Sequence, residues 1–263
     1  MKKIFLTGAS SGIGLAIAQK LCAAGHEVWG TSRDPARIPS LGKLHPVHLD
    51  LAELEGIRGA FENSWREAGY FDVLINNAGG GHFDAAEILG PERIEELFRT
   101  LVFAHIELCR LALGAMNARQ SGLIINVTSL ASRLPVPYMS AYNAAKAAMA
   151  SYTFSLQLEP RNRRVRIVDL QPADIRTSFN DSISPQPPGD RHVAKTWEVA
   201  QRNMRNAPPP DLVACRVLRL LASANPPPRL TVGGVFQSRI APLIFRFLPQ
   251  RVRVWGLKNY YGI

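Results

Sequence analysis

Tyr142 and Lys146 stand four residues apart in the stretch SAYNAAKAAM (140–149), a phenol and an ammonium set among alanines. Alanine is the best helix former, so the stretch reads as helix, and the spacing puts both side chains on one face. Similar pairs decorate ordinary helix surfaces, and this stretch alone does not separate the two readings. The chemistry the pair offers is proton transfer. A phenol has an ordinary pKa of about 10, and a neighbouring positive charge favours its ionised form and draws that value towards neutrality. Ser129 ends an apolar run upstream and offers a hydroxyl to hold an oxygen beside the phenol. Thr128 is the poorer choice, because strand alternation points it to the other side.

A second group of residues is suited to an anion. In TGASSGIG (7–14), Gly8, Gly12 and Gly14 follow an apolar run and open a helical one. Glycines there permit a tight turn, close backbone approach and close helix–sheet packing. The free N–H groups and the helix dipole then seat a pyrophosphate, which makes this a dinucleotide-binding loop.

These groups need a frame that gathers them at one end. Apolar, β-branched runs at 3–7, 27–32, 46–50, 72–76, 123–129, 165–170 and 229–233 alternate with helical patterns near 12–24, 52–68, 91–119, 141–159 and 211–223. The alternation predicts a doubly wound α/β fold, with a seven-stranded parallel sheet, helices on both faces and ligands at the carboxyl ends of the strands. No repeat or linker divides residues 1–263, so a single domain is expected. Proline-rich punctuation at 184–190, 207–211 and 225–229 reads as turns around the last layer.

The motifs taken in order resemble the short-chain dehydrogenase/reductase family in its compact form, from residue 3 to about 180. The carriers are the G-x-x-x-G-x-G spacing, NNAG (76–79), Asp50, Ser129, YNAAK (142–146) and PADIRT (172–177). The resemblance implies a Rossmann-like fold and hydride transfer between a nicotinamide cofactor and a ketone or aldehyde, or the reverse from an alcohol. It also implies a homodimer or homotetramer. Tyr142 would be the acid–base group, Ser129 the carbonyl orienter, and Lys146 both the tuner of the phenol and a ribose ligand. The cofactor would lie along Gly8, Ser10, Ser11, Gly12, Ile13 and Gly14, with Asp50 and Leu51 at the adenine and Asn77, Ala78 and Gly79 in the adjoining turn. Pro172, Ile175 and Thr177 would close over the nicotinamide. Ser32 occupies the place of the family's acidic residue that binds a ribose hydroxyl, and Arg33 follows. A guanidinium suits a 2′-phosphate, so the cofactor expected is NADP(H).

Two departures stand out. Leu101 falls where the family has an asparagine whose main-chain carbonyl holds a water leading from the lysine to solvent, and Ala173 replaces a glycine. His105, one turn after Leu101, is read as a helix residue near a subunit interface, with a polar relay as the lesser alternative. Leu101 also supports a rival function, a cofactor-binding sensor or scaffold with little turnover.

The region 177–210 is where the family has its variable substrate loop. Phe83, Leu130, Pro135, Val136, Tyr138, Phe179 and Trp197 are the apolar candidates for a substrate pocket, which favours a hydrophobic small molecule. The tail 239–263 interleaves basic and aromatic residues. It is expected to cover the pocket or pack in an oligomer in preference to resting on a membrane, because Pro242 and Pro249 interrupt a long amphipathic helix.

Bulk properties fit this picture. The 263 residues are 46% hydrophobic and 20% charged, which is ordinary globular material. Cys22, Cys109 and Cys215 are scattered without metal-ligand or redox spacing, so buried thiols in a reducing compartment and no metal are expected. The start, MKKIFLTGAS, has too short an apolar run for a secretory signal, and no stretch reads as a membrane span; the expected location is cytoplasmic. The net charge of +10 is concentrated at 161–166 and 246–258. Without zinc spacing or an RNA-binding signature, no nucleic-acid partner is expected.

Overall fold

The computed structural model describes residues 1–159, 164–179, 183 and 190–263. Its strands are β1 (Lys3–Leu6), β2 (Glu27–Ser32), β3 (Leu44–His48), β4 (Val73–Asn76), β5 (Gly122–Val127), β6 (Val165–Pro172) and β7 (Arg229–Val232). They form one seven-stranded sheet in the order β3-β2-β1-β4-β5-β6-β7, with every neighbouring pair parallel. The chain winds outward from β1 in one direction and from β4 in the other. The reversal lies between β1 and β4, where a crevice opens at the carboxyl ends.

The helices are α1 (Gly12–Ala23), α2 (Leu54–Ala68), α3 (Pro91–Phe98), α4 (Ala104–Ala118), α5 (Ser140–Leu158), α6 (Arg191–Asn206), α7 (Asp211–Ala222), α8 (Ala241–Phe247) and α9 (Gln250–Tyr261). Both sheet faces are covered, which is why the strands are continuously apolar instead of alternating. β1 shows the division. Ile4 and Leu6 join Ile17, Leu21, Val213 and Val217 of α1 and α7 on one face. Phe5 points the other way, with its ring centroid 5.3 Å from Phe61 and 5.4 Å from Phe71, in a core completed by α2, α4 and α5.

Boundaries move where the ladder ends. β3 stops at His48, and the Leu49 N–H reaches the Ser32 carbonyl at 3.0 Å, which leaves Asp50 in the loop. β5 stops at Val127, so Ser129 stands past the strand end and opens a short turn, Leu130–Ser132. The helical pattern at 91–119 is interrupted by a π turn at Arg99–Phe103 between α3 and α4, with Leu101 at its centre. The run Pro91–Ala118 holds an 18-residue window of mean hydropathy 1.3, long and apolar enough by that measure to cross a bilayer, contrary to the sequence reading. Here it packs against α2 and α5, and Leu101, Leu108, Ala112 and Met116 are fully buried.

α6 lies in a region read from sequence as loop. Asp190 starts it by accepting the His192 and Val193 N–H groups at 2.7 and 3.4 Å. In the tail, proline acts as a helix start. Pro242 sits in the first turn of α8, and Pro249 precedes α9. Residues 180–182 and 184–189 of the expected substrate loop, and 161–163 of the first basic cluster, lie outside the described residues. Arg166 of that cluster donates to the Ser223 and Ala224 carbonyls at 2.7 and 3.2 Å, a tie to the end of α7.

Candidate active site

A cavity of about 1050 Å³ opens in the crevice at the carboxyl ends of the strands. Its walls bring together every residue assigned above to the cofactor, and Ser129, Tyr142 and Lys146 as well.

The glycine loop forms one wall. Gly8 and Gly12 have φ of +74° and +53°, the left-handed region that a side chain resists. Gly14 is needed for a different reason: a Cβ there would lie 1.9 Å from the Gly8 oxygen and 2.5 Å from Asn77 Nδ2. Loop and β4 turn are tied as one piece. Thr7 Oγ1 accepts the N–H groups of Asn77 and Ala78 at 2.9 Å each, and Asn77 Nδ2 donates to the Thr7 carbonyl at 2.9 Å. No side-chain cap closes the start of α1 at Ser11, which leaves its first N–H groups facing the cavity.

At the β2 end, Ser32 Oγ donates to Ser10 Oγ at 3.2 Å. Asp34 is engaged locally, its Oδ1 accepting the Ala36 N–H at 3.1 Å. Arg33 makes no ion pair with it among the described residues and lines the cavity. Arg37 lines the same end from the short turn Pro35–Arg37, a second guanidinium the sequence reading missed. Two guanidiniums without an acidic partner among the described residues suit a phosphate; the spacing in SRDPAR was the available signal. Asp50 Oδ1 accepts the Ala52 N–H at 2.9 Å and fixes the loop at this end of the cavity.

At the opposite end, α5 presents Tyr142 and Lys146 as its spacing requires. Lys146 is buried, with Nζ donating to the Val127 carbonyl at 3.0 Å and lying 5.8 Å from the Tyr142 ring centroid. Burial pushes its ammonium down to about 8, against the upward pull of the Asp169 carboxylate. Ser129 Oγ accepts the Ala131 N–H at 3.0 Å and hydrogen-bonds the Tyr142 phenol. Burial raises the phenol above its ordinary value, the Ser129 bond opposes this, and the Asp174 charge adds to it. The expected downward shift of Tyr142 is therefore not present in the protein alone, because desolvation and the Asp174 charge outweigh the Ser129 hydrogen bond. A neutral phenol at neutral pH is a proton donor. Thr128 is directed elsewhere, onto the buried Asp169 carboxylate, which also accepts from Gln171 Nε2 and Arg229 Nε.

Leu101 retains the distorted helix without an amide. Its side chain is buried beside Gly79 and Lys146, and its carbonyl faces His105 Nδ1 at 3.2 Å. A carbonyl only accepts, so Nδ1 carries the proton there. His105, expected near a subunit interface, stands in α4 just after the π turn and is buried within this chain. Burial and the charge of Lys146 push its pKa down to about 3, so it is neutral. Next to it Asn76 Nδ2 donates to Asn126 Oδ1 at 2.9 Å and to Cys109 Sγ at 3.2 Å, and Asn126 Nδ2 donates to Thr153 Oγ1 of α5 at 2.9 Å. Ala173 fits where the family has glycine, its N–H donating to the Val232 carbonyl at 2.7 Å.

Of the apolar candidates, Leu130, Val136 and Phe179 line the cavity. Phe83, Pro135, Tyr138 and Trp197 do not. Phe83 is fully buried behind the wall, with ring centroids 5.9 Å from Tyr138 and 4.9 Å from Trp197. The wall itself is closed by the tail, through Ala241, Phe245, Leu257, Tyr260 and Tyr261. Asp174, whose carboxyl is raised by burial, accepts from Gln237 Nε2 at 2.6 Å, and Gln237 and Asn203 reach Tyr260 Oη at 3.3 and 3.0 Å. The tail was expected to cover the pocket or pack in an oligomer, and the fold shows which of its residues line the cavity.

Residues 2–188 match the family model described as short chain dehydrogenase. The chain is 32% identical over 266 residues to a 3-ketodihydrosphingosine reductase of Bacteroides thetaiotaomicron, covering 99% of this chain and 98% of the relative. A short-chain dehydrogenase of Streptomyces avermitilis superposes with a TM-score of 0.82 at 26% identity, covering 99% of this chain and 96% of that one. A metagenomic short-chain oxidoreductase in complex with NADP gives a TM-score of 0.71 at 28% identity, covering 88% and 96%. Sheet order, glycine loop and family match agree: the chain belongs to the short-chain dehydrogenase/reductase family of oxidoreductases.

Proposed function

We propose that this oxidoreductase is an NADP(H)-dependent reductase of hydrophobic ketones or aldehydes, with Tyr142, Ser129 and Lys146 as its reacting set. The observation that carries the reading is a single cavity holding a glycine loop, two guanidiniums without an acidic partner among the described residues, and the Ser129–Tyr142–Lys146 group. The residues present fit a dinucleotide phosphate: the loop offers backbone N–H groups, and Arg33 and Arg37 offer charge at the far end. When bound, the nicotinamide supplies the hydride. Ser129 and Tyr142 hold the carbonyl oxygen between their hydroxyls, and the neutral phenol gives its proton to the alkoxide as it forms. Lys146, tethered by the Val127 carbonyl, keeps a positive charge beside the phenol that loses the proton. The similarity to a 3-ketodihydrosphingosine reductase, together with the apolar substrate wall, supports a long-chain ketone.

The test is consumption of NADPH against NADH over a panel of ketones of increasing chain length. Turnover with NADPH that improves with chain length is expected; no turnover on any member overturns the reading. Arg33→Asp should lower the NADPH-over-NADH preference at least about tenfold, the worth of a charge-assisted bond to phosphate. An unchanged ratio would remove Arg33 from the assignment.

The pH profile follows from Lys146. Its ammonium is charged below a pKa of about 8 and discharges above it. The kcat/KM for reduction, which reports the free enzyme, should be level below that point and decline as pH rises through it. His105, neutral throughout, and Tyr142, raised above its ordinary value, contribute no limb in that range. A profile level well beyond pH 8 would contradict a charged Lys146 in the reaction.

A further inference from the structure

α8 and α9, with the turn before them, close one wall of the cavity and leave an apolar side open to water. On the outer face Phe236, Ile240, Leu243 and Phe247 recur at helical spacing from the turn Phe236–Ile240 into α8. Their exposures are 57%, 43%, 60% and 75%, and Trp255 of α9 adds 68%. The two helices are held as one unit, since Arg253 Nε donates to the Leu248 carbonyl at 2.7 Å and Nη2 to the Arg246 carbonyl at 3.2 Å. A continuous apolar stripe left open to water marks an interaction surface.

Charge selects the occupant. From residue 212 to the end the sequence contains no Asp or Glu, while Arg239, Arg246 and Arg251 are exposed around the stripe. A second copy docked through the same patch would set these guanidiniums against one another. An anionic lipid surface answers both the charge and the apolar side chains. Phe236 and Ile244 belong to the exposed face and also line the cavity, so the stripe runs into its mouth.

We infer that this face docks on an anionic membrane, with the cavity mouth turned to the bilayer so that a long-chain substrate enters from the lipid. Docking stands on the surface alone; the passage of substrate rests on the proposed reductase activity.

The experiment is co-sedimentation of the full chain with vesicles of phosphatidylcholine alone, or with roughly one third phosphatidylglycerol. Binding to the anionic vesicles, weakened by salt, and little binding to the neutral ones is expected. Leu243→Glu/Phe247→Glu and Arg246→Glu/Arg251→Glu should each lower binding about tenfold or more, with turnover of a short soluble ketone unchanged. Absence of binding by the native chain overturns the inference. So does binding that both double variants retain, or a fall in solution mass in the apolar variant without change at the vesicles, which would make the face a contact between copies. Vesicle binding by a chain that reduces no ketone would sustain docking and refute the reductase instead.

Discussion

Tyr142→Phe should bind NADPH within about twofold of the native chain and reduce ketones about 10²- to 10⁴-fold more slowly, the range for removal of a positioned general acid. The substitution deletes one oxygen. It leaves the ring, whose centroid lies 5.7 Å from Phe179, and it leaves the Lys146–Val127 bond. Binding is read by titration of the cofactor, and turnover by single-turnover and steady-state absorbance, so the two effects separate. Retained turnover would remove the phenol from the reaction. NADPH binding without Tyr142-dependent turnover on any substrate would favour the sensor that Leu101 suggested.

Gly14→Ala has the largest expected structural effect. The added methyl would stand 1.9 Å from the Gly8 oxygen and 2.5 Å from Asn77 Nδ2. The nearest obstruction is backbone, so no rotamer change relieves it, and α1 must move away from the loop. Overpacking of this kind costs about 3 kcal/mol, or about 6–12 °C in Tm for a chain of this size. Dinucleotide affinity should fall with it, because the moving helix start carries the N–H groups proposed to seat the phosphate. Gly59→Ala in α2 is the control, since a Cβ there meets nothing within 4 Å. It should hold or raise Tm by the helix preference of alanine. Equal stability and affinity in Gly14→Ala would show that loop and helix are not locked together.

What was legible in the sequence is what depends on local chemistry. Glycines at 8, 12 and 14, the strand ends and the Tyr142–Lys146 spacing each impose a geometry within a few residues, and the cavity gathers them all. What was not legible depends on residues far apart in the chain. His105 is buried just past a π turn, which helical periodicity does not announce. Phe83 and Trp197 pack on each other instead of facing the cavity, which Leu130, Val136 and Phe179 line. The raised pKa of Tyr142 likewise reflects burial and Asp174, whereas the sequence displayed only its cationic neighbour. The tail carried a composition but no motif, and its division into an inner and an outer face appears only once α9 is packed on α6 and α8 on the turn Phe236–Ile240.

The buried amide chain from Asn76 through Asn126 to Thr153 has a mechanical consequence. Asn76 and Asn126 are register partners on β4 and β5, and Thr153 lies on α5. The first precedes the turn that meets the glycine loop, the second precedes Ser129, and the third shares a helix with Tyr142 and Lys146. Three separately encoded pieces are thus braced by one cross-strut beneath the cavity floor. Fixed dipoles that need not reorient during a reaction lower its barrier. The strut confers that stiffness from behind, without touching anything the cavity holds.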